Sequence, residues 1–444
     1  MSSTRLDNLP LADTSAKFPW MVGAVAAAAV IGCIAGPRAA AAFVAALAGM
    51  AALLNLREHG LRAHAFITTR VTILLLAFCG YVLVNASWSL IPRAAFGKAA
   101  ILLAIVLVSQ FCIYWVIRQE GEILTAVGRG FLIGYGIGAL FIAIEIATEQ
   151  SLARLALNTF EFLRPDSQKH HSITNGEITA IGIYDRNRSV AMLNLLFWPA
   201  AAVWSAFAPN GWRWPAYVAA TGCLALATFG SAHESSKVAL VVGIAVFLLC
   251  WLNLLLGRAV VLAAWTVACL LAVPIASGLY EAGLHKAEWL PRTARARVIL
   301  WGYTAERYWE RPILGVGVNS TREIDRRAKP TAEKPADHVY ARRTGRHAHN
   351  VFVQTWFELG AIGALMLLVI GLAVLRMLAR VSEACQPMCF AGFAVAMSIA
   401  TFSWGMWQTW FQAAFAFTAI GLALTVRVYQ VTGSAPASAQ SIAF

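Results

Sequence analysis

The stretch HNVFVQTWFELGAIGALMLLVIGLAVL, residues 349–375, decides the class of this protein. From Val351 to Leu375 the only charged residue is Glu358. A hydrocarbon core about 30 Å thick takes about 20 apolar residues of helix, so this run is long enough to cross a bilayer. It also begins abruptly. The polar, basic segment before it reaches back to Glu281 and holds fourteen Lys/Arg against eight Asp/Glu. On either side of that segment there is little but apolar sequence.

Working outward, the whole chain of 444 residues is 59% hydrophobic and 13% charged, with a mean hydropathy of +0.65. Soluble domains carry about a quarter charged residues, so the deficit points to a membrane protein. About twelve apolar runs follow one another: 19–36, 39–56, 67–88, 96–117, 123–148, 188–207, 215–231, 237–256, 259–280, 351–375, 388–407 and 411–428. Pro37, Pro92, Pro209 and Pro387 stand at junctions, where proline ends a helix at little cost. No internal repeat is evident. The expected fold is an all-α polytopic membrane protein of about twelve transmembrane helices. Nine helices fall within 1–280, interrupted by an outward loop at about 149–187. A large loop carrying short helices occupies 281–350, three helices follow over 351–430, and 431–444 is a tail. The leader Met1–Phe18 is long and mixed in charge, so the first helix reads as retained rather than cleaved. The Ser/Ala-rich tail from Thr432 reads as disordered.

The formal net charge is +13, from 35 Lys/Arg and 22 Asp/Glu. Twelve spans place both termini on one side. Arg5, Lys17, Arg57, Arg62, Arg118, Arg129, Arg213, Arg258, Arg376, Arg380 and Arg427 then share that side. The short loops opposite carry only Arg38, Arg93, Lys98 and Lys237. The positive-inside tendency makes the termini cytoplasmic and turns 149–187 and 281–349 outward. An Arg-rich outward loop calls for an anionic partner such as a lipid-linked phosphate or diphosphate. Nucleic acid is a poor candidate on that side of the membrane. Cys33, Cys79, Cys112, Cys223, Cys250, Cys269, Cys385 and Cys389 all lie in or beside apolar runs. They suggest neither a disulfide framework nor a zinc site.

Several residues could carry chemistry. Thr293 can cap a helix running to about Arg311, on which Arg297 and Trp301 share a face. Trp301 could stack beneath the guanidinium while its donors face a phosphate, or the pair could be interfacial anchors. Gly315 and Gly317 are either a plain turn or a backbone approach to phosphate. The charged stretch 319–346, with Pro330 and Pro335, reads as a flexible flap. Asn350, Gln354 and Glu358 fall four apart and form one polar stripe down an apolar helix, which should face the bundle interior. His349 stands at the mouth of that stripe. At a helix N-terminus its imidazole should be largely neutral at neutral pH and able to act as a general base, unless it merely caps the helix. His347 is a substitute. Arg188 and Lys237 begin two helices on the same expected face, as interface anchors or as groups relieved by a bound anion. Together with Arg297 and His349 they make four functional groups on one side of the membrane. Glu145 reads as a charge near the midplane without an explanation. There is no Asp-x-Asp pair, no His/Asp set at ligand spacing, and no Walker, dinucleotide or G-x-S-x-G motif. Metal-independent chemistry without a cofactor is the default.

In order, Arg297-x-x-x-Trp301, Pro312-Ile-Leu-Gly315-Val-Gly317 and His349-Asn-Val-Phe-Val-Gln-Thr-Trp-Phe-Glu358-Leu-Gly360-Ala-Ile-Gly363 resemble the signature of the O-antigen ligase and polymerase superfamily. The likeness covers roughly 290–365, and the span layout agrees over the rest. Ser236-Lys237-Val238 stands where many members have Ser-Arg-Gly, which keeps the charge. Arg188 matches less securely. The resemblance implies a GT-C-like glycosyltransferase of the bacterial inner membrane. It would move O-antigen glycan from undecaprenyl diphosphate to lipid A-core on the periplasmic face, metal-independent and inverting. In that scheme His349 takes the proton of the acceptor hydroxyl. Arg188, Lys237 and Arg297 bind the diphosphate, and Asn350 and Glu358 orient the base. The polyprenyl tail would lie between helices or in membrane lipid. A polymerase or a protein oligosaccharyltransferase would share this chemistry with another acceptor. A lipid-linked glycan transporter is the rival of another class, though such proteins often show repeats and midplane charges.

Overall fold

A computed structural model describes residues 14–59, 69–160, 162, 164, 171–207, 211 and 213–433. The start of the leader, Arg62, Pro209 and most of the tail lie outside these residues. Among them the chain forms α1 (Thr14–Ala35), α2 (Ala40–His59), α3 (Arg70–Asn85), α4 (Pro92–Val116), α5 (Gly121–Ala147) and α6 (Ser151–Thr159). The hairpin β1 (His171–Thr174) and β2 (Glu177–Ile181) follows. Next come α7 (Asn187–Phe207), α8 (Arg213–Phe229), α9 (Glu234–Leu252), α10 (Leu254–Leu270) and α11 (Ala272–Glu281). The chain ends with α12 (Arg292–Tyr308), α13 (Ser320–Ala328), α14 (Val351–Leu378), α15 (Gln386–Phe402) and α16 (Thr409–Gly433).

The fold is all-α and polytopic, apart from the small antiparallel hairpin in the first large loop. Each of the twelve expected runs falls on helix. The described residues nevertheless contain nine helices long and apolar enough to span a bilayer, or ten if α10 and α11, bent by 76°, count as one. The runs at 215–231 and 388–407 form shorter apolar helices. The punctuation is local. Pro92 opens α4, and Thr69, Asn253 and Asn350 cap α3, α10 and α14 with side-chain oxygens.

α7 is the centre of the bundle, with 78% of its apolar window buried. α1 and α5 approach closely because Gly130, Gly134 and Gly138 recur every fourth residue. A Cβ at Gly130 would sit 2.1 Å from the Gly23 carbonyl oxygen, and one at Gly134 would sit 2.6 Å from that of Ala27. Lipid offers no hydrophobic drive between helices, so such small-residue faces are how they associate.

The break that organises the functional end lies in α14. Gly360 takes φ 66° and ψ −167° inside the helix, which frees carbonyls on the turn before it. The segment 312–317 fills that break. Val316 N–H donates to Phe357 O at 3.0 Å, Gly317 N–H to Glu358 O at 2.9 Å, and Ala361 N–H to Pro312 O at 2.9 Å. Tyr81 Oη donates to Leu359 O at 2.7 Å, and Asn85 Nδ2 to Leu314 O at 2.8 Å. Buried backbone groups must find partners, and here the loop and α3 supply them.

Contacts gather the large loops at one end of the bundle. Asn85, at the end of α3, accepts from Val318 N–H, and Ser89 Oγ donates to Val318 O. Glu145 lies near the end of α5 rather than as a lone midplane charge. Its Oε2 is 2.6 Å from Arg186, and its Oε1 accepts the Leu152 and Ala153 N–H groups that open α6. At the opposite end Arg427 meets Glu120, and Arg258 meets Gln386. The stretch expected to be a flap is in part regular, since α13 occupies its first third.

Candidate active site

A cavity of about 710 Å³ opens between α12, α13 and the loop that leads into α14. Six cationic side chains line it: Arg297 from α12, Arg322, Arg326 and Lys329 from α13 and its end, and Arg343 and Arg346 from the loop. Only two carboxylates, Glu323 and Asp325, face them. Those carboxylates are already engaged. Glu323 binds Arg326 at 2.6 Å and Arg327 at 2.8 Å, which hold its carboxyl down at about 2, while Asp325 pairs with Arg343 at 3.3 Å. Among the described residues Arg297, Arg322, Lys329 and Arg346 have no hydrogen-bonded or ion-paired carboxylate. The cavity therefore carries uncompensated positive charge in a partly desolvated space, where a multivalent anion would be held strongly.

His349 and His347 stand on the wall of the same cavity, with ring centroids 4.0 Å apart. His349 has φ +54°, a left-handed residue immediately before the Asn350 cap. Its Nδ1 lies 2.5 Å from Ser403 O, at the end of α15. A carbonyl can only accept, so Nδ1 carries the proton and Nε2 keeps its lone pair. Burial and the Arg297 guanidinium push this imidazole down to about 4, against the smaller opposing pull of Ser403. His347 is pushed to about 3 by burial, His349, Arg297 and Arg346. Both are neutral at pH 7, and His349 is oriented as a proton acceptor.

Behind them the turn 403–408 joins the helix ends. His233, at the start of α9, stacks on Trp404 at 4.5 Å. Its Nδ1 is 2.7 Å from Ser236 Oγ, and its Nε2 is 3.5 Å from Ser403 Oγ. Burial and Arg297 push it to about 3. Gln408 Nε2 lies 3.3 Å from His347 Nε2 and its Oε1 accepts from Trp410 Nε1 at 2.8 Å.

The other expected residues support the cavity from outside it. Trp301 does not stack beneath Arg297. It is buried and donates its indole N–H to Ala348 O at 2.6 Å, fixing the backbone just before His349. The helix that carries it begins after Pro291, not at a Thr293 cap, and ends at Tyr308 rather than Arg311. Asn350 makes no side-chain hydrogen bond to the imidazole. Its Oδ1 accepts from the Phe352 and Val353 N–H groups and starts α14. Glu358 is fully buried and accepts from Asn319 N–H at 2.9 Å, Thr321 N–H at 3.0 Å and the Trp407 indole. It thus pins the start of α13 and the 403–408 turn to α14. Gly315 and Gly317 face protein backbone rather than an anion. A Cβ on Gly315 would lie 2.3 Å from Glu358 O, and one on Gly317 would lie 2.5 Å from the Ser89 Cα.

Arg188 and Lys237 do not line the cavity. Arg188 lies over the Trp410 ring at 5.5 Å, and Lys237 pairs with Glu234 at 2.9 Å. Of the four groups expected to meet, Arg297 and His349 share the cavity, and the other two occupy the helix ends around it. Sequence reading missed the cations of α13. Arg322, Arg326 and Lys329 recur at helical spacing, a signal that was available. The Ser403 carbonyl has no side-chain signature at all.

Residues 219–368 match the Wzy_C family, O-antigen ligase. The matched stretch runs from α8 to the middle of α14 and includes Lys237, Arg297, the whole cavity-lining loop, His349 and Glu358. It excludes Arg188 and the 403–408 turn. No curated protein matches the chain.

Proposed function

We propose that this multi-pass membrane protein is a glycosyltransferase of the bacterial inner membrane. It moves O-antigen glycan from undecaprenyl diphosphate to lipid A-core on the periplasmic face, and its termini are cytoplasmic. The observation that carries this reading is one cavity holding both an oriented, neutral His349 and the unpaired Arg297, within a lining of six cations and two carboxylates. The similarity of residues 219–368 to O-antigen ligases agrees with it.

In the proposed reaction an acceptor hydroxyl attacks the anomeric carbon of the donor while His349 Nε2 takes its proton. The bond from that carbon to the diphosphate oxygen breaks, and the electron pair leaves on the diphosphate. Attack opposite the leaving group inverts the anomeric centre. Arg297, with Arg322 and Arg346, offsets the charge that develops on the leaving group, the role that electrostatic preorganisation plays in most such sites. These guanidinium groups do the work a divalent ion does elsewhere, so the chemistry is metal-independent. Arg188 and Lys237 act through the positive field of that face rather than by contact. The polyprenyl chain lies along the lipid-facing helices.

Reconstitution of the purified protein with lipid-linked O-antigen and lipid A-core, with and without EDTA, tests this. Glycan transfer to lipid A-core that survives EDTA supports it. Transfer that requires added magnesium overturns the metal-free chemistry. Transfer only to a second lipid-linked glycan would make the protein a polymerase. No release of undecaprenyl diphosphate would leave transport as the reading.

A further inference from the structure

A second cluster of side chains ties the loop that closes the cavity back to the end of α11. His285 stacks on Tyr280 with ring centroids 4.4 Å apart, and the His338 ring stands 4.5 Å from His285. His338 Nε2 is 3.0 Å from the Tyr280 hydroxyl, and its Nδ1 is 2.8 Å from Asp337 Oδ1. One ligand atom from each of His285, Asp337 and His338 lies within 4.8 Å of the other two. Neither His285 nor His338 is open to solvent, at 4% and 8% exposure. Both ring nitrogens of His285 are buried, and neither completes a hydrogen bond. Burial, then His338 and Lys286, hold this imidazole below its ordinary range, and Asp337 and the Tyr280 backbone oppose them without giving either ring nitrogen a hydrogen bond of good geometry.

A buried imidazole with both nitrogens unsatisfied is costly to fold, and such a group calls for a missing partner. Water could satisfy one nitrogen, but two imidazoles and a carboxylate converging on one point are the donor set of a borderline divalent ion. We propose that His285, Asp337 and His338 bind a transition-metal ion of the zinc type, which clasps the loop around residues 337–338 to the end of α11.

Ligand atoms around such an ion sit about 3.3 Å apart, given bonds of about 2.0 Å in a tetrahedron. The three side chains therefore need only a small contraction. Lys286 Nζ lies 2.8 Å from Asp337 Oδ2 and competes for that carboxylate. Its side chain is 56% exposed and can swing into water when the ion takes its place. Three protein ligands leave a position for water, with His338 ligating through Nδ1 beside Asp337 and keeping its Nε2–H for the Tyr280 hydroxyl. None of the three lines the cavity that holds His349 and Arg297, so the ion is structural. It holds the segment that carries Arg343, Arg346, His347 and His349. Tyr280 adds to the clasp, since the Arg342 guanidinium lies over its ring at 5.9 Å.

The test is metal content, which needs no turnover. Full-length protein in detergent, with any affinity tag removed, is loaded with zinc, stripped of loose ions and analysed by mass spectrometry. Near-stoichiometric zinc is expected in the wild type and in His349→Ala. It should be absent from His285→Ala/His338→Ala, and zinc should raise the melting temperature of the first two only. Cobalt should give visible d–d bands in the same two proteins. If the double variant does not fold, Asp337→Asn should weaken zinc binding by about tenfold or more, since its side chain is half-exposed. Wild type that holds no more zinc than the double variant, unchanged affinity in Asp337→Asn, or zinc lost from His349→Ala instead would each overturn the proposal. A protein that binds zinc at the cluster yet transfers no glycan would count against the proposed function and leave this inference standing.

Discussion

His349 donates a hydrogen bond from Nδ1 to the backbone carbonyl of Ser403, 2.5 Å away, between the start of α14 and the end of α15. The bond decides which nitrogen faces the cavity as a base. Because the acceptor is a main-chain atom, no side-chain substitution at 403 removes it. The base is thus oriented by the fold rather than by a neighbouring residue's identity.

The first prediction concerns pH. An imidazole held at about 4 stays unprotonated from neutral pH down to that value. Transfer should stay flat as pH falls from 7 and be lost only as it passes through about 4. His349→Ala and His349→Gln should abolish transfer at every pH, with size-exclusion profiles and melting temperatures close to wild type. An acid limb near 6.5, the ordinary histidine value, would show that the ring is not in this environment.

Arg297 acts on the donor and on the imidazoles together. Its positive charge opposes protonation of His233, His347 and His349. Arg297→Ala should raise the KM for donor sharply and move the acid limb of any residual activity upward. Arg297→Lys keeps the charge but not the planar fork, so the acid limb should stay in place while donor binding weakens. Initial rates across pH with varied donor separate the two effects.

Gly315 should tolerate no side chain. Its φ is +71°, and an added Cβ would meet the Glu358 carbonyl oxygen at 2.3 Å. Gly315→Ala should cost about 1–2 kcal/mol from backbone strain alone, with the clash in addition. Gly136→Ala is the control, since nothing lies within 4 Å of its Cβ. Thermal denaturation of the two variants in detergent should separate them clearly.

Glu145 and Arg186 form a buried pair, with side chains 0% and 10% exposed. Glu145→Ala leaves a buried guanidinium and two α6 N–H groups without their acceptor, and should cost about 3 kcal/mol or more. Glu145→Leu/Arg186→Leu should recover part of that loss. A single variant as stable as wild type, by chemical denaturation, would show that the pair contributes nothing.

The apolar runs were legible because span length and apolarity are properties of a local window. Each expected run became helix, and Pro92 and Asn350 ended or began elements as their chemistry requires. Among the described residues nine of these helices are long and apolar enough to span, or ten with the bent pair over 254–281, while 215–231 and 388–407 form shorter apolar helices. The first third of 319–346, read as part of a flap, is the nine-residue helix α13, whose short and densely charged sequence shows no apolar period.

From sequence alone came a membrane-embedded helical chain, a basic loop at one end, and His349, Arg297 and Glu358 as residues of interest. Those follow from composition, from helical spacing and from a motif read in order. What the polar stripe does was decided in three dimensions. Glu358 holds α13 and the Trp407 turn, Asn350 caps a helix, and Gly315 and Gly317 fit against backbone. The meeting of His349 with the Ser403 carbonyl, 54 residues away, also belongs to the tertiary structure. A main-chain oxygen is present at every residue, so only packing can determine which one a side chain will find.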